Sequence, residues 1–481
     1  MNLEFLSSRI LVPACVACLL LLPGGSSLGL TARRDLQAIA PPLRTPALLT
    51  NQSVRPRSVE VTIVAEPAQL SLVPGALSAG YAYNGQVPGP TLEAYEGDEV
   101  TVHFVNRLPE PTTIHWHGLH IPNASDGSPY HPVAPGRSRD YVFTLQKGSA
   151  GTYWYHPHPD QATGGQIARG LFGTFIVRAH DDPVPRDIAE KVIVLSDNRF
   201  LPNGSLDLPA ITSPQGVVDL SNGREGDRLY VNGQVMPVLS IRAGETQRWR
   251  VINASAARVY RLAIPGITFL HIGSDGGVFE HPVEAKEILV ANSERVELLV
   301  RATGKPGSTT TLQDLPYDRY VPQTRPRDWK QTRNLLTLQY TTDEPLEPVA
   351  IPATLRPVQP LDESRARRKR DFVMQQGFIN GKAHAMDRVD EHVRLGDTEV
   401  WTIENVVGMD HPFHLHGFQF QVIDRDGVPE PYRSWKDTIN IPKHSVARII
   451  VRFDDFPGKW MYHCHILDHE DNGMMGVLEV K

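Results

Sequence analysis

The sequence has few cysteines and no surplus of positive charge. Only three of its 481 residues are cysteine, and Cys15 and Cys18 lie in an apolar stretch near the N-terminus. If that stretch is removed, Cys464 remains alone, so no disulfide can form within the chain. The formal net charge is −6, and no basic face is evident. Both observations argue against a nucleic-acid partner.

Long hydrophobic runs are also scarce. One apolar run, residues 10–22, follows Arg9 and precedes several small residues and glycines. This pattern is typical of a signal peptide, which predicts that residues 1–30 are removed and that the protein is exported to the periplasm or the cell exterior. A short membrane anchor is the alternative. No later stretch is long and apolar enough to span a bilayer, so no membrane span is expected in the mature chain.

A unit of alternating polar and apolar residues recurs three times. Each copy has an Asn-Gly pair, then a glycine turn, then an alternating run that ends in asparagine. The Asn-Gly pairs are 148 residues apart and begin at Asn84, Asn232 and Asn380, while the alternating runs end at Asn106, Asn253 and Asn405. Period-two alternation and Asn-Gly turns indicate short β-strands and hairpins. Many short strands of this kind predict a sandwich or a barrel.

The repeat divides the chain into three parts. We therefore predict an all-β protein of three consecutive β-sandwich domains at 57–180, 190–345 and 370–481. Residues 31–56, which show no clean period, are predicted to form an exposed N-terminal arm, and the proline-rich residues 346–369 a linker.

Histidines are concentrated in four His-X-His pairs, where composition alone predicts roughly one. On a strand, alternate side chains share a face, so each pair presents two imidazoles to one side. Eight imidazoles are more than one metal ion uses, and two pairs come from each outer domain. The pattern predicts a multinuclear metal cluster between those domains, with the middle domain as spacer or support. The pairs are His115/His117, His156/His158, His414/His416 and His463/His465.

A second metal site is predicted around Cys464. This residue stands between two cluster histidines, so on a strand it points to the opposite face. His411 lies at an odd offset from the pair that follows it and is predicted to face the same way. With His469 and Met474 as a weak axial ligand, these residues match the ligand set of a blue-copper electron-transfer site. Met475 is expected to pack in the core. A buried cysteine beside structural histidines is the alternative.

Four motifs resemble those of the multicopper oxidases, of the three-domain bacterial laccase and cuprous oxidase type. They are HWHG at 115–118, WYHPH at 154–158, HPFHLHG at 411–417 and HCHILDHEDNGMM at 463–475. With the repeated domain frame, the resemblance covers about 57–481. It implies three cupredoxin-like Greek-key domains and four coppers per chain: one type 1, one type 2 and two type 3.

The resemblance also implies a role for each ligand position. His115 and His414 resemble the type 2 ligands. Four residues resemble the type 1 ligands: His411, Cys464, His469 and Met474. Six histidines resemble the ligands of the type 3 pair: His117, His156, His158, His416, His463 and His465. The implied reaction couples one-electron oxidations of a reducing substrate at type 1 copper to the four-electron reduction of dioxygen to water at the trinuclear cluster.

Two carboxylates resemble the acidic proton relay of the family, and both have a plainer alternative. Asp126 lies in an Asn-Ala-Ser-Asp-Gly stretch, which forms turns by itself. Glu470 follows the ligand candidate His469 and could simply order that loop through a hydrogen bond.

The methionine content bears on the identity of the reducing substrate. Phenols or aromatic amines are favoured as substrates, because cuprous oxidases of the family often carry a methionine-rich insert and this chain has only eight methionines, without such a cluster. Oxidation of Cu(I) in copper tolerance is the main alternative. A non-enzymatic copper-binding or scaffold relative is a weaker one, since no ligand position is missing.

Overall fold

Alternating apolar residues form strands, and strands make up most of the regular structure of the described chain. The structure is a computed structural model that describes residues 40–319 and 329–481. The predicted signal peptide and residues 31–39 of the predicted arm lie outside this part of the chain. The described strands form six sheets, which group into three consecutive pairs. The prediction of an all-β protein is confirmed.

The first pair of sheets is built from strands between Ser58 and Arg178. One sheet has the order β2-β1-β4-β6 and the other the order β3-β8-β7-β5. The strands are β1 (Ser58–Val73), β2 (Ala76–Tyr83), β3 (Gly89–Tyr95), β4 (Glu99–Asn106), β5 (His115–His117), β6 (Ser138–Thr144), β7 (Gly151–His156) and β8 (Gly173–Arg178).

The second pair of sheets has the orders β10-β9-β12-β17-β14-β15 and β11-β19-β18-β13-β16. Its strands are β9 (Ala189–Asn198), β10 (Arg228–Val231), β11 (Val238–Ile241), β12 (Thr246–Asn253), β13 (Tyr260–Ala263), β14 (Phe269–Ser274), β15 (Gly277–Ala285), β16 (Glu287–Val290), β17 (Arg295–Arg301), β18 (Thr309–Asp314) and β19 (Arg333–Tyr340).

The third pair of sheets has the orders β21-β20-β23-β28-β25-β26 and β22-β30-β29-β24-β27. Its strands are β20 (Arg368–Gln375), β21 (Phe378–Ile379), β22 (Glu391–Val393), β23 (Thr398–Asn405), β24 (His411–Leu415), β25 (Phe420–Arg425), β26 (Val428–Pro429), β27 (Thr438–Ile441), β28 (Val446–Arg452), β29 (Gly458–Cys464) and β30 (Met475–Val480).

Short helices occupy some of the connections. They are α1 (Thr163–Ala168), α2 (Pro214–Asn222) and α3 (Leu467–Asp471), with 3₁₀ turns at Asn123–Ser125 and Glu363–Arg365. Helix α2 has clear local start and stop residues. The Ser213 hydroxyl accepts from Gly216 N–H, Pro214 stands in the first turn, and Gly223 ends the helix at φ +77°.

Each pair of sheets encloses its own hydrophobic core, with a fully buried tryptophan in each. Trp116 lies in the first core, Trp249 in the second and Trp401 in the third. In each pair the first strand runs parallel to the strand that carries the repeated motif, β1 with β4, β9 with β12 and β20 with β23. The sequence repeat is therefore also a repeat of strand pairing.

The three Asn-Gly pairs form the turns that the sequence predicts. Asn84, Asn232 and Asn380 have φ of 50°, 51° and 53°, and the glycine after each is also at positive φ. These angles are those of a type I′ turn, which asparagine and glycine tolerate best. In each turn the asparagine Oδ1 accepts a hydrogen bond of 2.7 Å from a valine N–H of the first strand.

The described part of the predicted arm is tied down rather than free. Its residues are largely exposed, but Pro42 pairs with Val238 and Leu48 pairs with Thr91 through short parallel bridges. The arm thus lies along both the first and the second pair of sheets. Within residues 40–319 and 329–481, no helix is long and apolar enough to cross a membrane.

Candidate metal centre

Antiparallel pairing of neighbouring strands brings the histidine pairs side by side. In the first pair of sheets, β5 and β7 place His115 opposite His156. In the third, β24 and β29 place His414 opposite His463. Three histidines of the cluster lie one or two residues beyond a strand end: His158, His416 and His465. Only His115/His117 lies wholly within one strand, so the other pairs depend on local bends as well as on strand alternation.

All eight histidines meet in one buried cluster. None is more than 1% exposed. The His117 and His414 rings stack with centroids 3.8 Å apart, and His115 stacks on His416 at 3.9 Å. His465 completes the contact, with its ring 5.0 Å from that of His117. The cluster therefore joins residues of the first and third pairs of sheets.

Three sets of three histidines place their ring nitrogens within 4.8 Å of one another, a spacing at which they could share a metal ion. These sets are His115/His117/His156, His115/His414/His416 and His158/His416/His463.

In each of four histidines, a backbone carbonyl determines which ring nitrogen is free to bind a metal ion. A carbonyl can only accept, so the nitrogen that faces it must carry the proton. The other nitrogen then keeps its lone pair for a metal ion. The four Nδ1–H groups and their acceptors are His115 to Asp126 O at 2.8 Å, His156 to Pro157 O at 2.9 Å, His414 to Asp437 O at 2.9 Å and His463 to Cys464 O at 3.0 Å.

Several ring nitrogens in the cluster have no hydrogen-bond partner among the described residues. They are His115 Nε2, His158 Nδ1, His414 Nε2 and both nitrogens of His465. A buried polar atom left unpaired costs about 1–3 kcal/mol. Burial above all, and neighbouring histidines after it, lower the pKa of His414 and His465 well below the ordinary value. These neutral, unpaired imidazoles fit bound copper ions.

A separate His₂Cys set lies on the other face of β29. The ligand atoms of His411, Cys464 and His469 lie within 4.8 Å of one another, and all three residues are buried. Cys464 Sγ is 3.8 Å from His469 Nδ1. His411 Nδ1 donates to the Asn405 side-chain oxygen at 3.1 Å, and its Nε2 has no partner in the described chain.

Burial raises the pKa of the Cys464 thiol. The protein alone therefore favours the neutral thiol. A bound cation deprotonates such a thiol, because the thiolate is the better ligand. The donor set of one thiol and two neutral imidazoles fits a copper ion of the blue type.

The two adjacent methionines lie in different surroundings. Met474 is fully buried in the same core cluster as Cys464. Its N–H donates to His469 O at 2.9 Å, and its carbonyl accepts from Cys464 N–H at 3.0 Å. Met475 instead packs with Met461 and Val477 in a separate cluster. The backbone thus holds Met474 beside the His₂Cys set and Met475 away from it.

Two buried carboxylates touch the cluster. Asp126 directly follows the 3₁₀ turn Asn123–Ser125, and its Oδ2 accepts from His416 Nδ1–H at 3.0 Å. Burial acts to raise the pKa of Asp126, but His115 and His416 outweigh it, and the pKa lies below its ordinary range. The residue both ends a turn and contacts the site.

Glu470 lies on the other side of the cluster. Its carboxylate oxygens are 3.4 Å from His158 Nε2 and 3.3 Å from His463 Nδ1. Burial, and after it the neighbouring Asp471, raise the pKa of Glu470 well above its ordinary value. A bound cation acts in the opposite direction and favours the carboxylate.

Asp437 is a further residue of the site, and the sequence does not mark it. This buried residue accepts from His117 Nε2–H at 3.0 Å, and its oxygen forms a further possible metal-binding set with His117 and His414. Asp437 precedes the short strand β27, with no histidine or cysteine within five residues. No local pattern marks it, because its contact with His117 spans 320 residues of sequence.

Gln376 and helix α2 cover the His₂Cys set. His469 is only 1% exposed, and Gln376 Nε2 lies 3.4 Å from His469 Nε2. The same amide donates to Ser221 O at the end of α2, at 2.9 Å. Because Gln376 is itself exposed, one side chain separates His469 from solvent on this side.

A buried cluster of eight imidazoles beside a His₂Cys set defines a protein of multinuclear copper chemistry. Three family models, each described as multicopper oxidase, match residues 66–182, 201–342 and 354–481. The chain belongs to the multicopper oxidase family.

Relatives of known name and structure agree. A multicopper oxidase of Staphylococcus haemolyticus is 33% identical over 87% of this chain and 88% of its own. The solved structure of a multicopper oxidase from Campylobacter jejuni is similar at a TM-score of 0.84 and 34% identity, over 92% of this chain and 95% of that one. A laccase structure from Pediococcus acidilactici gives a TM-score of 0.82 at 32% identity, over 92% and 94%.

Membership of the family establishes several of the predictions. The fold is cupredoxin-like, and the protein is an oxidoreductase that uses dioxygen. Its cofactor is copper, typically four ions per chain in this family.

Proposed function

We propose that the eight clustered histidines hold the trinuclear copper site and that His411, Cys464, His469 and Met474 hold the type 1 copper. Support comes from the overlapping sets of ring nitrogens, the buried nitrogens without partners and the separation of the two sets by β29. Within the cluster, His115 and His414 are assigned to type 2 copper and the other six histidines to the type 3 pair. When bound, copper supplies the redox chemistry that couples oxidation of a reducing substrate to reduction of dioxygen.

Asp126 and Glu470 are proposed to relay protons for dioxygen reduction. Each carboxylate lies within about 3.5 Å of two cluster histidines. They approach from different elements, one from the loop after β5 and one from α3. Proton transfer requires hydrogen-bond reach or one intervening water. Asp126 is hydrogen-bonded to His416 at 3.0 Å, and Glu470 lies just beyond that reach, at 3.4 Å from His158 and 3.3 Å from His463.

The reducing substrate is proposed to be a phenol or an aromatic amine. The observation that carries this proposal is the exposed Gln376 amide over His469. Two exposed apolar side chains are sequence neighbours of the residues in this contact. Phe378 follows Gln376 by two residues, and Val217 lies one turn before Ser221, which the Gln376 amide contacts on α2. An aromatic ring can pack on such side chains beside the amide. An Ochrobactrum relative with a solved structure, at 28% identity, is described as acting on lignin model compounds.

Oxidation of Cu(I) is the second candidate. It is favoured by the burial of His469, which an aromatic ring cannot touch unless Gln376 moves. The Campylobacter jejuni relative is described as a metallo-oxidase. Against this candidate, six of the seven methionines in the described chain lie between residues 374 and 475, and they belong to cores or isolated loops rather than to one exposed cluster.

Steady-state kinetics with dimethoxyphenol and with Cu(I) distinguish the two candidates. For a phenol oxidase, Gln376→Ala should raise kcat/KM for the bulky phenol severalfold, because it uncovers His469. Gln69→Ala, on the exposed side of β1, is the control and should change nothing. The second candidate is favoured if the wild-type protein oxidises Cu(I) far better than any phenol and if Gln376→Ala leaves kcat/KM for the phenol unchanged.

Export and the division into three domains are also proposed. Export rests on the apolar run at residues 10–22, and N-terminal sequencing of the mature protein from its host tests it. The three domains at 57–180, 190–345 and 370–481 are supported by the three pairs of sheets and their three cores. Limited proteolysis should cut between them before it cuts within them.

A further inference from the structure

An arginine of the second pair of sheets reaches the copper cluster. Arg295 is the first residue of β17 and is fully buried. Its Nη1 donates to Asp437 Oδ1 at 2.8 Å, and its Nη2 donates to Asp437 Oδ2. This two-pronged pair joins the second pair of sheets to the third, and neither residue was expected to act at the site.

The remaining N–H groups of Arg295 are also satisfied. Nε donates to Thr152 O at 3.0 Å, Nη1 to Ser293 O at 3.0 Å and Nη2 to Asp275 O at 3.2 Å. A guanidinium has five N–H groups in a fixed plane, and here each has an acceptor. These acceptors come from all three pairs of sheets, so the orientation of the Arg295 side chain is fully specified.

Asp437 connects Arg295 to the cluster by hydrogen bonds. Its Oδ1 accepts from His117 Nε2–H at 3.0 Å and from the Thr438 hydroxyl at 3.0 Å. Its backbone carbonyl accepts from His414 Nδ1–H at 2.9 Å. Asp437 thus holds one ring from each outer pair of sheets, and these are the two rings that stack at 3.8 Å.

We propose that Arg295 is a positioning residue that acts through Asp437 to fix the His117 and His414 rings for the trinuclear copper site. The inference rests on the proposed ligand roles of those two histidines. It gives the second pair of sheets, which contributes no histidine to the cluster, a part in setting the cluster's geometry.

A network of buried charges holds Arg295 itself in place. The Thr152 hydroxyl donates to Glu297 Oε1 at 2.7 Å, and Glu297 pairs with both Arg248 and Arg250. Thr152 is therefore held by its side chain while its carbonyl orients Arg295. Charged residues buried in such a network are restrained more tightly than single pairs, because each member limits the others.

The test is Arg295→Lys in the copper-loaded protein. Lysine keeps the positive charge, so Asp437 is not left with an uncompensated charge, but it lacks the planar fork and cannot fill all five donor positions. We expect the trinuclear site to bind copper less completely or with altered type 2 electron paramagnetic resonance parameters. Dioxygen turnover should fall about tenfold or more, as is common when a residue that orients a metal ligand is changed. The blue band of the Cys464 site is the internal control and should be unchanged.

Arg370→Lys is the matched control. Arg370 is also buried and makes a two-pronged pair with Glu399, but it contacts none of the clustered histidines. It should keep the wild-type spectra and copper content. If it loses the same type 2 features as Arg295→Lys, the effect is general destabilisation and the proposal is wrong.

Two further outcomes are decisive. A folded Arg295→Lys protein with four coppers and wild-type resonance parameters overturns the inference. If Arg295→Lys does not fold, Asp437→Asn takes its place, because it keeps the shape of the side chain and the backbone carbonyl. We expect the altered type 2 features in this variant. Wild-type type 2 features in Asp437→Asn overturn the inference. A wild-type protein that binds no cluster copper contradicts the proposed function and not this inference alone.

Discussion

At the scale of single residues, one hydrogen bond on each of three histidines decides which ring nitrogen can bind a metal. The His115 and His414 rings donate through Nδ1 to backbone carbonyls, and His411 donates to the Asn405 side chain. In each case Nε2 is left without a partner in the described chain. The sequence identifies the histidines but not these acceptors, because the fold supplies them.

The position of Met474 gives the first prediction. A weak axial thioether donates some electron density and favours Cu(II), so its removal should raise the reduction potential of the type 1 site. Leucine is close to methionine in volume, so Met474→Leu should stay folded, at a cost below about 1.5 kcal/mol. We expect a blue protein with a potential higher than the parent, measured by redox titration of the blue band.

Met475→Leu is the control for that prediction. Met475 packs with Met461 and Val477 and lies outside the cluster that contains Cys464. Its replacement should barely change the potential. A shift in Met475→Leu without one in Met474→Leu would show that the axial assignment is reversed.

The proposed relay is tested by Asp126→Asn and Glu470→Gln. Both changes keep the size of the side chain but remove a carboxylate that can take up and release a proton. Each should slow dioxygen reduction by about 10²-fold or more, the usual range for loss of a general acid or base. The blue band should stay, because neither carboxylate touches Cys464. Single-turnover reoxidation by dioxygen is the measurement, and unchanged rates in both variants would leave only the turn and loop-ordering interpretations.

At the scale of elements, the sequence predicts some contacts and misses others for a definite reason. Alternation on β29 places Cys464 and His463 in different ligand sets, and the Asn-Gly pairs form turns, since both features depend on near neighbours. The contact of Gln376 with α2 spans 155 residues, and no local pattern encodes it. Two acceptors of Arg295, Thr152 and Asp437, are similarly remote from it in sequence.

Strand β14 carries a pH-dependent contact with the third pair of sheets. His271 packs against Phe279 and Tyr432, with ring centroids 4.7 and 5.4 Å apart. Burial above all, and Lys436 after it, lower the pKa of His271 to about 3. The unfolded value is about 6.5. The stability from neutral His271 is therefore fully present above about pH 6.5 and is lost as the pH falls toward 3.

His271→Gln should remove this pH dependence. Glutamine stays neutral and can still donate to Gly273 O, which His271 Nε2 contacts at 3.0 Å. Between pH 7 and pH 4 the wild type should lose about 3 kcal/mol of stability relative to the variant, since one pKa unit corresponds to about 1.4 kcal/mol. Thermal midpoints at a series of pH values measure this difference. His131→Gln, at an exposed position, should run parallel to the wild type, and parallel curves for His271→Gln would contradict the assignment.

At the scale of the whole molecule, the copper cluster joins parts of the chain that are far apart in sequence. His158 and His463 are 305 residues apart, yet their Nε2 atoms lie 3.4 Å from each other. The three-domain division stays a prediction, although each pair of sheets has its own core. Copper bound in the cluster therefore links the first pair of sheets to the third.

Copper removal should consequently destabilise the whole molecule. A ligand that binds only the folded state stabilises it by an amount that grows with occupancy, about 2.7 kcal/mol at a hundred times the dissociation constant. Chelation should lower the thermal midpoint, because it restores the buried nitrogens of His115, His414 and His465 to an unpaired state.

Two variants separate the contributions of the two sites. Cys464→Ser should abolish the blue colour while the cluster keeps its copper, so the drop in midpoint on chelation should largely remain. His117→Ala should keep the blue band but weaken the cluster, so that drop should shrink. Absorption spectra, copper counts and calorimetry of both proteins, with and without chelator, make the comparison. Loss of the same spectral features in both variants would mean that Cys464 and His117 serve one site. The opposite faces of β29 argue against a single site, because Cys464 lies with His411 and His469 while His463 lies with the cluster.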